Sequence, residues 1–387
     1  MAAPEIGAVR MTGGTRVKLA DSLGSIVSAG LAAVIPIGVL SGAGSVYGLE
    51  RAGMISVCLA LAAYLAQVLT AVCVEAPLYG GGRRADIPTV VFAGGFLGCA
   101  LWGFGVTGSG VAVAGLFLMI PALECARASA VLQGGWRREL IVGALLAAGV
   151  AWTLVSRGPM ALHIGVAGAV AAAMIIRMPT QWTGLLLPRG GQWWVVVETA
   201  LVGSVQPVAM SVAYGGLGAA AATGLKFVLS VTNIISPVLY FLRLRLLSRR
   251  SVRDIALACV LLVLGCGAIL LAQALGVFGL VFGPTWSAVS LGMLIVGLTW
   301  KGLSAGTTIP FAALRRSGDG AVVIAVRLVA TALFIAASLI AVNAVGTVVG
   351  VLVGFAISEA LSWILFGAAA RRFAGRGPAV SRRGESA

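Results

Sequence analysis

Charged residues are scarce in this sequence, and acidic residues are the scarcest. Only 10% of its 387 residues are charged, with 27 lysines and arginines against 12 aspartates and glutamates. A soluble domain carries roughly 25% charged residues. There is one histidine, His163, so no histidine cluster can form. The composition excludes an ordinary soluble domain and a histidine-rich metal centre.

Motifs of nucleotide binding and of common catalytic sites are also missing. We find no G-x-x-x-x-G-K-[ST] loop, no H-E-x-x-H helix and no G-x-S-x-G elbow. The six cysteines lie inside or at the ends of apolar runs without C-x-x-C spacing, which indicates buried thiols rather than disulfides or metal ligands. We therefore expect no cofactor, no metal and no enzymatic activity.

Long apolar runs dominate what is present. Hydrophobic residues make up 60% of the chain, the mean hydropathy is +1.06, and runs of about 20 apolar residues, enough to cross a membrane as a helix, recur from Asp21 to Ala370. Alternating strands are absent from the pattern, so an all-α polytopic membrane protein is predicted. About 12 transmembrane helices are expected, at 21–40, 52–74, 89–106, 108–125, 140–155, 160–177, 194–214, 218–241, 254–275, 286–312, 320–341 and 346–370.

Basic residues orient these helices. With twelve spans, most arginines fall on the side of the two termini, while Arg51 and Arg157 fall on the other side. Because lysine and arginine mark cytoplasmic loops, both termini are predicted to be cytoplasmic and the protein to lie in the cell (inner) membrane. The first 20 residues lack the pattern of a cleaved signal peptide. The net charge of +15 is thus a topology signal with affinity for membrane lipids, and we do not expect nucleic-acid binding.

The order of the spans predicts two six-helix lobes. A Y-G turn between apolar runs occurs in SVYGLERAG and again in SVAYGGLGAAAATG, as expected of a parallel repeat. The predicted organisation is an N-terminal tail (1–20), an N-terminal lobe (21–177), a cytoplasmic linker (178–193), a C-terminal lobe (194–370) and a basic cytoplasmic tail (371–387).

Lys301 is the most conspicuous charge within a span. It lies about 13 residues from the next basic turn, which places it roughly 20 Å deep at 1.5 Å per residue. Ser304 and Thr308 share its helical face, which suits a hydrated central cavity. A structural ion pair with Glu359 is the alternative.

A second polar stripe marks the predicted eighth helix. Lys226, Ser230, Asn233 and Pro237 recur there at helical spacing. We expect the first three to line the same substrate-binding cavity, with Arg51 as a further candidate at its outer end.

Four other charges are candidates for coupling or for structural roles. Asp21 is expected to cap the first helix, and Glu198, next to two tryptophans, to reach headgroup water. Arg327 and Glu359 have similar predicted depths on consecutive helices. We predict that these two form a structural ion pair.

Two segments resemble a known family. GLVFGPTWSAVSLGML, with Phe282-Gly283-Pro284 and Trp286, resembles the start of the tenth helix in polysaccharide transporters and O-antigen flippases of the multidrug/oligosaccharidyl-lipid/polysaccharide (MOP) superfamily. LGAAAATGLKFVLSVTNIISPVL is similar to the eighth helix of that family, where a basic residue is common at the position of Lys226. The resemblance is best over 194–372.

The resemblance implies a flippase that translocates a polyprenyl-diphosphate-linked oligosaccharide through a cationic cavity between two lobes. Partners would then be this lipid-linked glycan, membrane lipids, a polysaccharide polymerase and glycosyltransferases. Lys301 and Lys226 suit such a substrate because an ammonium neutralises phosphate without a fixed planar geometry. The first helix has Asp21 and serines but no arginine in its middle, which fits a peptidoglycan-precursor flippase less well.

Three alternatives stay open. A cation-coupled multidrug exporter of the same superfamily would need acidic and aromatic residues in its cavity. YGGGRRAD resembles a loop of major-facilitator transporters but lacks the leading aspartate. A membrane-embedded polymerase or ligase would need a large outer loop, and the predicted outer segments are short.

Overall fold

The computed structural model describes residues 34–79, 88–107, 110–132, 136–178, 192–236, 238, 239, 242, 246, 252–316 and 320–373. Nearly all of them are helical. Helix is the expected state because a backbone amide in lipid has no water to bond and must find its acceptor within the segment. The predicted all-α polytopic fold is confirmed.

The helices of this described part match the twelve predicted spans. Eight stretches are long and apolar enough to cross a membrane, a ninth is bent, two are shorter, and the 42-residue stretch Val34–Glu75 contains two helices. We number them α1 (34–47), α2 (49–70), α3 (Thr89–Gly103), α4 (Ala112–Leu132), α5 (Trp136–Ser156), α6 (Val166–Ile176), α7 (Trp193–Leu217), α8 (Ala219–Thr232), α9 (Val252–Ala274), α10 (Leu291–Arg316), α11 (Gly320–Ile340) and α12 (Val348–Phe373).

Single glycines join the first pair of helices in each half. The first helix continues to Gly48, beyond the predicted end at Leu40, and Gly48 has φ 77° and ψ −178°. Gly218, between α7 and α8, has φ 89° and ψ 177°. This region of backbone space is essentially restricted to glycine. The two connections that carry the sequence echo are therefore built alike, as a parallel repeat requires.

A bent segment, Val277–Ala288, precedes α10 and meets it at 106°. The prediction that the tenth span begins at Trp286 is therefore wrong, since α10 begins at Leu291. Gly283 has φ 63°, and Pro284 lacks an amide proton, so a continuous α-helix cannot pass through this turn.

Aromatic side chains hold the bent segment on α8. Phe282 and Trp286 stack at 5.0 Å between ring centroids, and Phe227 of α8 lies 4.4 Å from Phe282. The indole nitrogen of Trp286 donates to Gln273 Oε1 at 2.9 Å. The sequence motif that carries the resemblance thus packs on α8 and α9 and leads into α10.

The helices form two six-helix lobes. In the first, α3 packs on α4 and α1 on α5; in the second, α10 packs on α12 and α7 on α11. The lobes meet where α2 runs along α7, and Gly53 lies against the backbone of Ala219 at the start of α8. Most of the predicted linker and of the basic tail lies outside the described residues.

An ion pair is buried at the end of the first lobe. Arg177, one of the arginines counted on the side of the two termini, is 4% exposed, and its Nε donates to Glu139 Oε1 at 2.8 Å. Its Nη1 also donates to the carbonyl of Leu123 at 3.3 Å. Arg177 therefore ties the end of α6 to α5 and α4 rather than facing water.

Gly98 sets the distance between α3 and α4. A Cβ at this position would lie 2.5 Å from the backbone nitrogen of Met119, which no side-chain rearrangement can relieve. We expect Gly98→Ala to lower the free energy of unfolding by about 1–3 kcal/mol, as overpacked cores do.

Gly94, one turn earlier in α3, provides the matched control because a methyl group added there would have no other atom within 4 Å. Gly94→Ala should be neutral or slightly stabilising, since alanine is the better helix former by about 0.5–1 kcal/mol. Thermal unfolding in detergent compares the two variants. Equal midpoints would contradict a backbone-limited contact between α3 and α4.

Candidate functional site

Lys301 lies on α10 where α10 faces the end of α8. Its Nζ is 3.4 Å from Ser236 Oγ and 4.5 Å from the centre of the Trp300 ring. Ser236 in turn donates to Asn233 Oδ1 at 3.2 Å. The α-helix changes to a 3₁₀ turn at Asn233–Ile235, which turns these polar side chains toward α10. Lys301 and Asn233 are thus brought together through Ser236, which was not predicted.

Lys226 and Ser230 are enclosed more tightly than the sequence suggests. All residues of α8 from Ala222 to Thr232 are buried, with Lys226 4% exposed and Ser230 7% exposed. Within the described part of the chain, Lys226 makes neither a hydrogen bond nor an ion pair. A charge at this depth without a counterion is costly and usually serves a function.

Ser304 and Thr308 satisfy their own hydroxyl groups along α10. Ser304 donates to the carbonyl of Trp300 at 3.2 Å, and Thr308 donates to the carbonyl of Ser304 at 2.7 Å. Both side chains are partly exposed and keep acceptor lone pairs. They continue the polar face below Lys301. Gly297, above it, packs on Val228 of α8.

Glu359 on α12 lies close to this group. Its Oε2 accepts a hydrogen bond from the indole nitrogen of Trp300 at 3.3 Å, and it interacts electrostatically with Lys301. Glu359 therefore has a donor of its own and balances Lys301 from a distance. The arrangement lies between the two sequence hypotheses, a cavity cation and a closed ion pair.

The predicted ion pair between Arg327 and Glu359 is wrong. Arg327 Nε instead donates to Glu198 Oε1 at 3.0 Å, so α11 is tied to α7 rather than to α12. The guanidinium of Arg327 also lies 3.9 Å from the centre of the Phe311 ring. Arg327 and Glu359 have similar predicted depths, but depth alone does not determine toward which neighbouring helix the Arg327 side chain points.

Glu198 is also placed differently from its prediction. It is 2% exposed rather than in contact with headgroup water. Besides Arg327, it pairs with Arg315 at the end of α10, with 3.5 Å between Oε2 and Nη2. The side chain of Arg315 is 3% exposed, and its Nη2 lies 3.9 Å from Glu75 Oε2 of the first lobe.

Arg51 belongs to a separate group of side chains, at the end of the first lobe opposite to Glu75. It is exposed, and its guanidinium lies 5.2 Å from the centre of the Tyr47 ring. Tyr47 Oη and His163 Nε2 are hydrogen-bonded at 2.6 Å, and His163 Nδ1 is bonded to the carbonyl of Trp102 at 2.8 Å. The structure thus connects Arg51 to a contact among α1, α3 and the π-helical turn Ala161–Gly165 that precedes α6, and not to Lys301.

Asp21 and Pro237 lie outside the described residues, and so does the first part of the predicted first span. Sequence analysis did not identify four residues of these polar groups: Ser236, Trp300, Arg315 and Glu75. Ser236 could have been found from its spacing to Asn233, and Trp300 from its place beside Lys301. The partnership of Arg315 with Glu75 has no local signal because it joins residues from different lobes.

Comparison with known proteins identifies the fold. No protein-family profile and no curated protein matches the sequence. An outward-facing conformation of a multidrug resistance MATE family transporter of the MOP superfamily is similar over 93% of this chain and 96% of its own, with a TM-score of 0.54 and 13% identity. A MATE in complex with MaD3S is similar over 91% and 96%, with a TM-score of 0.53 and 14% identity. The chain therefore has the fold of MATE transporters of the MOP superfamily.

Proposed function

We propose that this chain is a membrane transporter that moves its substrate by alternating access between two six-helix lobes. The observation that carries the proposal is the fold, which extends over both lobes and nearly the full length of the MATE structures. The polar group around Lys301 lies in the interior of the second lobe, among α8, α10 and α12, and such a transporter would hold its substrate at polar groups of this kind.

The comparisons favour a multidrug exporter over a flippase. The similar structures described above belong to MATE transporters, one of them a multidrug resistance protein. Trp300 and the 9%-exposed Glu359 also supply an aromatic ring and a carboxylate, the pair of groups that attracts lipophilic cations. A lipophilic cation is therefore the first candidate substrate. A major-facilitator transporter gains no support from these similarities.

The lysines favour a second candidate, an anionic amphiphile such as a polyprenyl-diphosphate-linked glycan. The charged groups of α8, α10 and α12 that face this region are two lysines, Lys226 and Lys301, and one carboxylate, Glu359, which is the electrostatic neighbour of Lys301. Lys226 has no counterion in the described part of the chain, so a bound phosphate group would complete its coordination. This charge balance is the specific support for the flippase hypothesis.

Binding to the purified protein in nanodiscs separates the candidates. We expect tetraphenylphosphonium or undecaprenyl diphosphate, but not both, to quench the fluorescence of Trp300 saturably, and Trp300→Phe to lose that signal. If undecaprenyl diphosphate binds, Lys226→Gln should weaken it at least tenfold, because a buried charge-assisted contact to phosphate is lost. Arg157→Gln, which changes an exposed cation, should bind normally. Failure of both probes would contradict both candidate substrates.

A further inference from the structure

We propose that Glu75 and Arg315 form an ionic latch, which holds the two lobes together at the end of the molecule predicted to be cytoplasmic and opens when the cavity opens to that side. The proposal rests on the proposed alternating-access function. It concerns the inner end of α2, which continues as a π-helical turn, Ala71–Glu75, and a short helix, Ala76–Tyr79.

Among the residues that the structure describes, a small apolar contact and one ion pair join the lobes at this end. Ala71 and Ala76 of the first lobe are buried against Val196 of α7 in the second. Beside them, Glu75 Oε2 lies 3.9 Å from Arg315 Nη2. Among ion pairs whose two side chains the structure describes, this one alone joins the lobes. Separation of the lobes at this end must break it.

Arg315 is anchored within its own lobe. Glu198 Oε2 lies 3.5 Å from its Nη2, and its guanidinium lies 5.3 Å from the centre of the Trp194 ring. The side chain of Arg315 is 3% exposed, whereas that of Glu75 is 31% exposed. When the lobes part, Glu75 can therefore enter water while Arg315 stays in place with Glu198.

Because Glu75 is partly exposed to solvent, its ion pair with Arg315 is weak enough to break and re-form. Ion pairs open to solvent contribute little and are screened by salt, whereas fully buried pairs are hard to separate. The buried pair of Glu198 with Arg327 stays within one lobe and has no need to open. Glu75 is 31% exposed and Arg327 16% exposed, so the ion pair that crosses between the lobes is more open to water than the one within the second lobe.

The opposite end of the lobe contact is built differently. Gly44 of α1 lies against Thr285 of the bent segment, Gly53 of α2 lies against Ala219, and Ser41 donates to the carbonyl of Val281. These contacts are close and uncharged. Ionic strength should therefore affect the Glu75 end selectively and favour opening there.

The latch can be tested without a substrate. In a chain whose native cysteines are replaced, Thr308→Cys reports access to the cavity through its rate of reaction with a membrane-impermeant maleimide, measured in vesicles of either orientation. We expect Glu75→Gln to raise the rate about two- to fivefold from the Glu75 side, the population shift that a partly exposed ion pair supports. High salt should raise the rate in the parent but not in Glu75→Gln.

Glu124→Gln is the matched control. Glu124 pairs with Arg127 within α4, with side-chain exposures of 30% and 32%. The variant therefore also removes a partly exposed ion pair, but this pair lies within one lobe. Its labelling rate should equal that of the parent. Equal rates in Glu75→Gln and the parent, or faster labelling only from the opposite side, would overturn the latch.

A disulfide provides a second measurement. Ala76→Cys with Val196→Cys, oxidised with copper phenanthroline, should keep the Glu75 side closed to the maleimide until a reductant is added. Reporter access that is unchanged by oxidation, with the cross-link confirmed on a gel, would count against the latch. These labelling measurements use no substrate. If they support the latch but neither probe binds, only the candidate substrates are rejected. If a probe binds but Glu75→Gln does not change the labelling rate, only the latch is rejected.

Discussion

A Lys301→Gln variant should fold and insert normally, yet lose binding and transport of undecaprenyl diphosphate if the substrate is the anionic amphiphile. Lys301 contributes a charge to the polar group but little to its structure, since its single described hydrogen bond, to Ser236 Oγ, is 3.4 Å long. Glu359 would keep its hydrogen bond from Trp300. A charge-assisted contact to a substrate phosphate would instead be lost completely. Protein level in the membrane and flux in proteoliposomes measure the two effects.

Lys301→Arg is the control that retains the charge. A guanidinium can reach Ser236 and a phosphate, though with different geometry, so we expect part of the flux to remain. For a tetraphenylphosphonium exporter, Lys301→Gln should leave transport intact or increase it, since a competing cation is removed. Loss of folding in Lys301→Gln would instead show that Lys301 and Glu359 are a structural ion pair.

The sequence was most informative where hydrophobicity alone decides the structure. A helix in lipid must satisfy its own backbone, so the number of spans and their approximate positions follow from apolar length. The helix ends that sequence analysis predicted wrongly depend on the backbone conformation of individual glycines. Nothing in the apolar pattern around Leu40 ends α1, and the turn comes at Gly48 because only glycine adopts φ 77° with ψ −178° easily.

Charge partners were predicted less well, for a physical reason. Depth along a span can be counted from its ends, but rotation of a helix about its axis depends on packing with all its neighbours. Arg327 and Glu359 have similar depths, yet Arg327 faces α7 and Glu359 faces Trp300 of α10. By contrast, several residues in each polar stripe define one face of α8 and one face of α10, and Lys301 and Asn233 on these faces are linked through Ser236.

Glu198→Gln should be among the most destabilising single substitutions of a charged residue in this chain. Its carboxylate lies 3.0 Å from Arg327 Nε and 3.5 Å from Arg315 Nη2, and all three residues are buried or nearly so. Removal of one partner from a buried charge pair leaves the other uncompensated and costs about 3–5 kcal/mol. We expect low protein levels and a lower unfolding temperature, with normal behaviour of Glu50→Gln, which changes an exposed carboxylate.

A double-mutant cycle decides which carboxylate Arg327 needs. Residues that share an ion pair show interaction energies of about 0.5–3 kcal/mol, whereas separate residues add independently. Replacement of Glu198 and Arg327 with apolar residues should therefore destabilise the chain by less than the sum of the two single changes. The same cycle with Glu359 and Arg327 should be additive. Coupling in the second cycle but not in the first would mean that Arg327 pairs with Glu359 of α12. It would also contradict the arrangement of Glu198 in which Arg315 is anchored beside Glu75.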